Sequence, residues 1–195
     1  NAALQNAKEV LIAVPSDGLR GILLQMKAFH KDFDIWWASK GFEVSTGLLP
    51  HNICEEIFGE DQKMAIISGP SFAIEVAENK PTAVTIASKN KGFSEYLAAN
   101  ISDQSFRAYT SHDITGVEIG GAIKNILAIG AGISDGLNYG DNARIALINR
   151  GLVEMQRLGV ALGADNNTFL GLAGMGDLVL TCTSNLSRNH RFGLA

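Results

Sequence analysis

Lys124 is the residue whose setting says most about chemistry. It stands in Gly120-Gly121-Ala122-Ile123-Lys124-Asn125, inside an otherwise apolar segment with small neighbours on the turn before it. A lysine so placed either snorkels to solvent or faces a polar cleft. In a cleft, desolvation lowers its pKa toward neutrality and suits it to exchange a proton with a carbonyl or alcohol oxygen. Asn125 beside it is either a surface amide or a hydrogen-bonding group for a ligand. Lys40 follows an apolar run and precedes Gly41. That puts it at the carboxyl end of a strand, where ligands collect on an open sheet, or leaves it as a solvated loop lysine. Gly69-Pro70-Ser71 follows another apolar run; its amides and hydroxyl can hold an anionic oxygen or simply form a turn. Asp177 comes after Gly174-Met175-Gly176, and Thr181, Ser187, Arg188, Asn189 and Arg191 follow. Arginine offers a phosphate or carboxylate two parallel donors, and the hydroxyls and amides can fill the remaining oxygen positions.

Other patterns carry less. The glycines of residues 130–136 superficially look like a dinucleotide fingerprint, but the run before them has helical spacing and no strand ending in an acidic residue follows. Glycines packed within a helix or ending it explain that pattern. No Gly-Lys-Ser/Thr phosphate loop is present. His30, His51, His112 and His190 share no metal-ligand spacing, and no Ser-His-Asp arrangement emerges.

The elements that must position these residues change character along the chain. Short apolar runs at 10–14, 34–39, 64–67, 82–87 and 106–109 read as strands of a parallel or mixed sheet. Helix-period segments at 19–29, 49–58, 72–78 and 94–99 lie between them, with Pro50 near a helix start and Ser71 able to cap the helix after it. Past Tyr109 the apolar spacing becomes helical. A long buried helix over 115–131 is followed by one over 143–158, capped by Asp141 or Asn142. That second helix buries Ile145, Leu147, Ile148, Leu152, Met155 and Leu158. Asp165 or Asn167 starts another, and residues 171–195 read as short helices joined by tight turns. The expected domains are 1–110 and 111–195.

Of 195 residues, 46% are hydrophobic and 18% charged, enough apolar surface for a real core and too little charge for disorder. The net charge of −4 gives no basic footprint for nucleic acid. Cys54 and Cys182 are too few for a disulfide framework and fit two reduced thiols in a cytoplasmic protein. The apolar stretch 119–133 is interrupted by Lys124 and by glycines, so no membrane span is read, and no secretion signal opens the chain.

Taken in order, Val14-Pro15-Ser16, Ser39-Lys40-Gly41, residues 68–73, residues 120–125, Gly140-Asp141-Asn142-Ala143-Arg144 and the run 171–191 strongly resemble bacterial-type NAD(P)-dependent glycerol-3-phosphate dehydrogenase. The resemblance covers essentially the whole chain. It implies an α/β fold: the second half of a Rossmann-like doubly wound sheet, then an all-α domain like the C-terminal domain of 6-phosphogluconate dehydrogenase. It implies interconversion of sn-glycerol 3-phosphate and dihydroxyacetone phosphate with NAD or NADP, supplying the phospholipid backbone. By the same resemblance Lys124 exchanges the proton at the substrate oxygen. Lys40, Gly69, Ser71, Lys124, Asn125, Asp177, Thr181, Ser187, Arg188 and Asn189 contact substrate, and Lys40, Ala73 and Arg188 contact the cofactor. Two departures stand out. The family's glycine-rich first βαβ unit does not appear in these residues, so both domains are expected to be partial, and Trp36-Trp37 replace smaller β-branched residues. An alternative expectation is a catalytically silent piece that binds substrate or self-associates, the latter as a homodimer.

Overall fold

A computed structural model describes residues 4–29 and 33–195; His30 lies outside the described residues. Five strands form one mixed sheet in the order β1 (Glu9–Ile12), β2 (Asp34–Trp37), β3 (Met64–Ser68), β4 (Thr82–Ala87) and β5 (Phe106–Ser111). Three pairings are parallel, and β3 meets β4 antiparallel, with Ile66 opposite Ala87. Because a side chain points to alternate faces along a strand, Ile35 and Trp37 go to one side and Trp36 to the other. Both sides are covered, which is why β2 and β3 read as unbroken apolar runs. On one face Ile35, Trp37, Met64 and Ile66 pack with α1 (Leu19–Lys27) and α2 (Pro50–Phe58). On the other, Trp36, Ala65 and Ile86 pack with Phe93 and Leu97 of α4 (Lys91–Ile101). Asn90 starts α4 by accepting the Phe93 N–H at 2.9 Å.

After β5 the chain is helical. The helix α5 (Ile114–Gly136) is capped by Asp113, whose Oδ1 accepts the Gly116 N–H at 2.8 Å. It has the length and hydropathy of a membrane span, but it lies packed against β3 and the helices α6 (Asp141–Ala161), α7 (Asp177–Thr183) and α8 (Arg188–Leu194). Ile119, Ala128 and Ala131 of α5 meet Ile148, Leu152 and Met155 of α6, Phe169, and Leu178 and Cys182 of α7. The glycines at 130–136 are helical, and one of them, Gly132, together with Gly193 of α8, lets α8 lie directly on α5. A Cβ on Gly132 would fall 2.0 Å from the His190 carbonyl oxygen, and one on Gly193 would fall 2.0 Å from that of Ile129. The whole is an α/β, Rossmann-like sheet followed by helices.

Several local expectations change. Ser71 does not cap α3 (Ala73–Ala77), whose N-cap is Phe72; its hydroxyl donates to the Gly69 carbonyl at 3.2 Å instead. Neither Asp141 nor Asn142 caps α6. Gly140 takes that position, and Asp141 sits in the first turn, bonded to Arg144. Ile145 and Leu158 of α6 are exposed, because only the stripe through Ile148, Leu152 and Met155 faces α5. Asp165 does cap, accepting the Asn167 N–H at 2.9 Å.

Candidate active site

Three charged residues from two ends of the chain meet at the junction of sheet and helices. Lys40 reaches them from the loop after β2, Lys124 from the middle of α5 and Asp177 from the first residue of α7. Asp177 is 2% exposed and its two oxygens are shared: Oδ1 accepts from Lys124 Nζ, and Oδ2 accepts from Lys40 Nζ at 2.9 Å. Thr181, one turn along α7, donates its hydroxyl to the Asp177 carbonyl at 2.6 Å and lies 3.3 Å from Oδ1.

Two ammonium groups on one carboxylate leave a net positive site, and this sets the state of Lys124. Burial pushes its pKa down first and the charge of Lys40 second, while the Asp177 carboxylate pulls it back up, leaving it at about 8. Lys124 therefore holds or releases a proton near neutral pH, as a proton-transfer group must.

The surrounding backbone is shaped to let these groups approach. Gly121 lets the Lys40 stem lie against α5, since a Cβ there would be 3.2 Å from Lys40 Cγ and Cδ. Gly120 faces the wide helical turn 172–176 that leads into Asp177, and its Cβ would fall 2.3 Å from the Ala173 carbonyl oxygen. Because that neighbour is backbone, Gly120→Ala must push the turn away. The expected cost is about 1–3 kcal/mol, read as a lower urea midpoint, and an unchanged midpoint would refute this tight contact.

The other singled-out residues divide into three groups. Asn125 Oδ1 accepts from Asn189 Nδ2 at 2.9 Å, so the turn after Lys124 is tied to α8. Ser187 caps α8 through the His190 N–H, and Arg188, next to it, is exposed and makes no ion pair with any described residue. No hydrogen bond joins Ser71 or Ala73 to the charged centre. Together with Lys40, Leu11, Ala38 and Ile67 they line a cavity of about 530 Å³ at the carboxyl edge of the sheet. Gly69, between Ile67 and Ser71 in the chain, has φ +147, a conformation that favours glycine, and a Cβ on it would lie 3.0 Å from Val84 Cα. A separate cavity of about 490 Å³, between β4, β5 and residues 167–173, has no lysine, arginine or carboxylate in its lining. Charge, not size, locates the site.

Sequence reasoning passed over two residues. Ser68 is 2% exposed, and its hydroxyl finds no partner while lying 3.3 Å from the Cβ position of Gly121. Glu118 is buried on α5 and bonded to His51. A carboxylate in an apolar helix is the same signal that singled out Lys124. Cys54 and Cys182 are free and buried, each thiol pushed up to about 12 mainly by desolvation, so neither is a nucleophile here.

The model of the NAD-dependent glycerol-3-phosphate dehydrogenase N-terminus matches residues 1–94, and that of its C-terminus matches residues 113–195. The glycerol-3-phosphate dehydrogenase (NAD(P)+) of Aeromonas hydrophila is 53% identical over 195 residues, 99% of this chain and 58% of the relative. The chain thus spans a little over half the length of such relatives. The solved structure of glycerol-3-phosphate dehydrogenase from Coxiella burnetii superposes with a TM-score of 0.95 at 49% identity, over 100% of this chain and 59% of that one. That of Saccharomyces cerevisiae gives 0.84 at 26% identity, over 100% and 59%. With both halves of one family's pattern matched in order along a single fold, the chain belongs to the NAD-dependent glycerol-3-phosphate dehydrogenase family.

Proposed function

We propose that the protein interconverts dihydroxyacetone phosphate and sn-glycerol 3-phosphate with NAD or NADP, in the cytoplasm, supplying the backbone of phospholipids. The observation that carries this reading is the pair of lysines sharing Asp177, with one of them held at a pKa of about 8. The residues present fit a nicotinamide ring. The cavity beside Lys40 is walled by Leu11, Ala38, Ile67 and Ala73, a flat apolar surface at the strand ends. The unpartnered Ser68 hydroxyl and the Lys40 stem both face Gly121 of α5. Lys40, Ala73 and Arg188 would hold the group, which would supply or take the hydride at carbon 2.

The chain's own residues do the rest. Lys124 gives its Nζ proton to the oxygen on carbon 2 as negative charge builds there, and takes it back in the reverse reaction. Lys40 adds a second positive charge next to that oxygen, beside the buried Lys124 and Asp177, where screening by water is reduced. Asp177 holds both ammonium groups, and Thr181 steadies Asp177. Gly69 and Ser71 bind the substrate's oxygens; Arg188, Asn189 and Ser187 bind the phosphate, with Asn125 fixing Asn189. Arg188 suits this role because its guanidinium is uncommitted. Replacing it, as Arg188→Ala, should weaken substrate phosphate binding by about 1.5–3 kcal/mol, seen as a raised KM with little loss of kcat. An unchanged KM would remove Arg188 from the phosphate site.

The deciding experiment combines the intact mass of the protein as its gene encodes it with oxidation of NADH and of NADPH in the presence of dihydroxyacetone phosphate. Consumption of either cofactor supports the dehydrogenase. A mass of 20.8 kDa with neither consumed would favour a silent chain that binds substrate or pairs with a second copy.

A further inference from the structure

The loop that carries Lys40 is held at both of its roots by one carboxylate. Residues 38–49 join β2 to α2, with Trp37 just before them and His51 just after. Glu118, 1% exposed on α5, accepts the Trp37 indole N–H at 3.2 Å and the His51 backbone N–H at 3.0 Å, both on Oε1. Its Oε2 lies 2.5 Å from His51 Nδ1. On the far side of the ring Asn52 Nδ2 lies 3.1 Å from His51 Nε2. Desolvation pushes the Glu118 carboxyl up, and the bonds from His51 and Trp37 oppose it. A leucine would fill the same space without the cost of burying a carboxyl group, so packing alone does not account for Glu118.

Phe42 and Leu49 pack into the core that α5 shares with α6 and α7, but apart from Lys40 itself the loop's other polar ties lead elsewhere. Glu43 is bonded to Arg20 of α1 at 2.7 Å, and the Ser39 hydroxyl to the Val14 carbonyl at 2.5 Å. Both refer the loop to the sheet side of the molecule. Glu118 refers it to α5, one turn before Gly121, where the Lys40 stem rests, and six residues, about 9 Å of helix rise, before Lys124. We propose that Glu118 is a positioning residue that ties both roots of the Lys40 loop to α5 and thereby sets Lys40 against Lys124 and Asp177. What that placement serves rests on the dehydrogenase reading; the placement itself rests on geometry.

The test is lysine 13Cε NMR of Lys124 across pH, in the wild-type protein and in Glu118→Gln, beside turnover and thermal unfolding. Glutamine keeps the shape but weakens the clamp, because a neutral amide oxygen accepts from the Trp37 and His51 N–H groups less strongly than a carboxylate and its NH2 must face His51 Nδ1. The charge of Lys40 is the second cause of the lowered Lys124 pKa, so withdrawing it should move the Lys124 midpoint up from about 8. Turnover should fall by roughly 10- to 100-fold with KM nearly unchanged, the scale of a small misplacement at a reacting centre. A purely structural role would lower the melting temperature and leave both the midpoint and the turnover of folded protein unmoved, which would overturn the proposal. Absence of turnover in the wild type would count against the dehydrogenase and not against the clamp, which the NMR arm still decides. If Glu118→Gln does not fold, Trp37→Phe removes one donor only. The same upward movement supports the clamp, and an unmoved midpoint in the folded variant overturns it.

Discussion

Lys124→Ala should lower kcat for reduction of dihydroxyacetone phosphate by roughly 10²- to 10⁴-fold, the usual loss when a positioned acid or base is removed. KM should change far less, because the proposed phosphate site lies on α8 and not on α5. The pH profile carries the same signature. In reduction Lys124 must begin protonated, so the rate falls as pH rises through about 8; in oxidation it must begin neutral, so the rate rises through the same region. Stability follows a related rule. The folded state holds this proton less tightly than the unfolded chain, where lysine has its ordinary value of 10.5. Between about 8 and 10.5 the unfolded chain therefore binds more protons, and this group's contribution to stability rises with pH across that window. Folded Lys124→Ala protein that retains wild-type turnover and the same pH limb would remove Lys124 from the proton-transfer role.

Much of this site was legible because burial and charge conflict visibly in a sequence. An ammonium in a helix that is otherwise apolar had to be buried with a partner or turned to water, and Lys124 is buried. The partner was not legible, because Lys124 and Asp177 lie 53 positions apart and Lys40 and Asp177 137 apart. No local spacing encodes a contact made by three elements that pack only in the finished fold. The family pattern named all three residues without explaining why two lysines share one carboxylate. Strands β2 and β3 were readable because parallel strands covered on both faces leave unbroken apolar runs. Helix caps were less so: Ser71 and Asp141 have the right residue types, but Phe72 and Gly140 take the cap positions. Ile145 and Leu158 show the limit of reading burial from residue type, since a helix spreads its apolar residues wider than the stripe its neighbour covers. Glu118 was readable by the logic applied to Lys124. It hides well because its partners are a histidine and a tryptophan on other elements and not a lysine nearby.

Asp177→Asn should lower kcat by roughly 10²-fold, and the reason is how the two oxygens are divided. Oδ1 serves Lys124 and Oδ2 serves Lys40, so an amide of the same shape can offer its oxygen to one lysine and must turn its NH2 toward the other. The Lys124 side chain is 10% exposed and cannot leave, whereas that of Lys40 is 21% exposed and can swing to water. The amide oxygen therefore stays with Lys124 and Lys40 is displaced. Lys124 then loses the carboxylate that raised its pKa and the neighbouring charge that lowered it, so its midpoint moves little while turnover drops. This separates the variant from Glu118→Gln, where Lys40 is drawn away but the carboxylate remains and the midpoint climbs. Asp177→Ala removes the acceptor altogether; Lys124 is then a buried ammonium without a counter-charge, and it releases its proton at a lower pH than in the wild type. Measuring the Lys124 midpoint in both Asp177 variants, with circular dichroism to establish folding, checks the whole arrangement. A folded Asp177→Asn protein with full turnover would mean that Lys40 contributes nothing from its place beside Lys124.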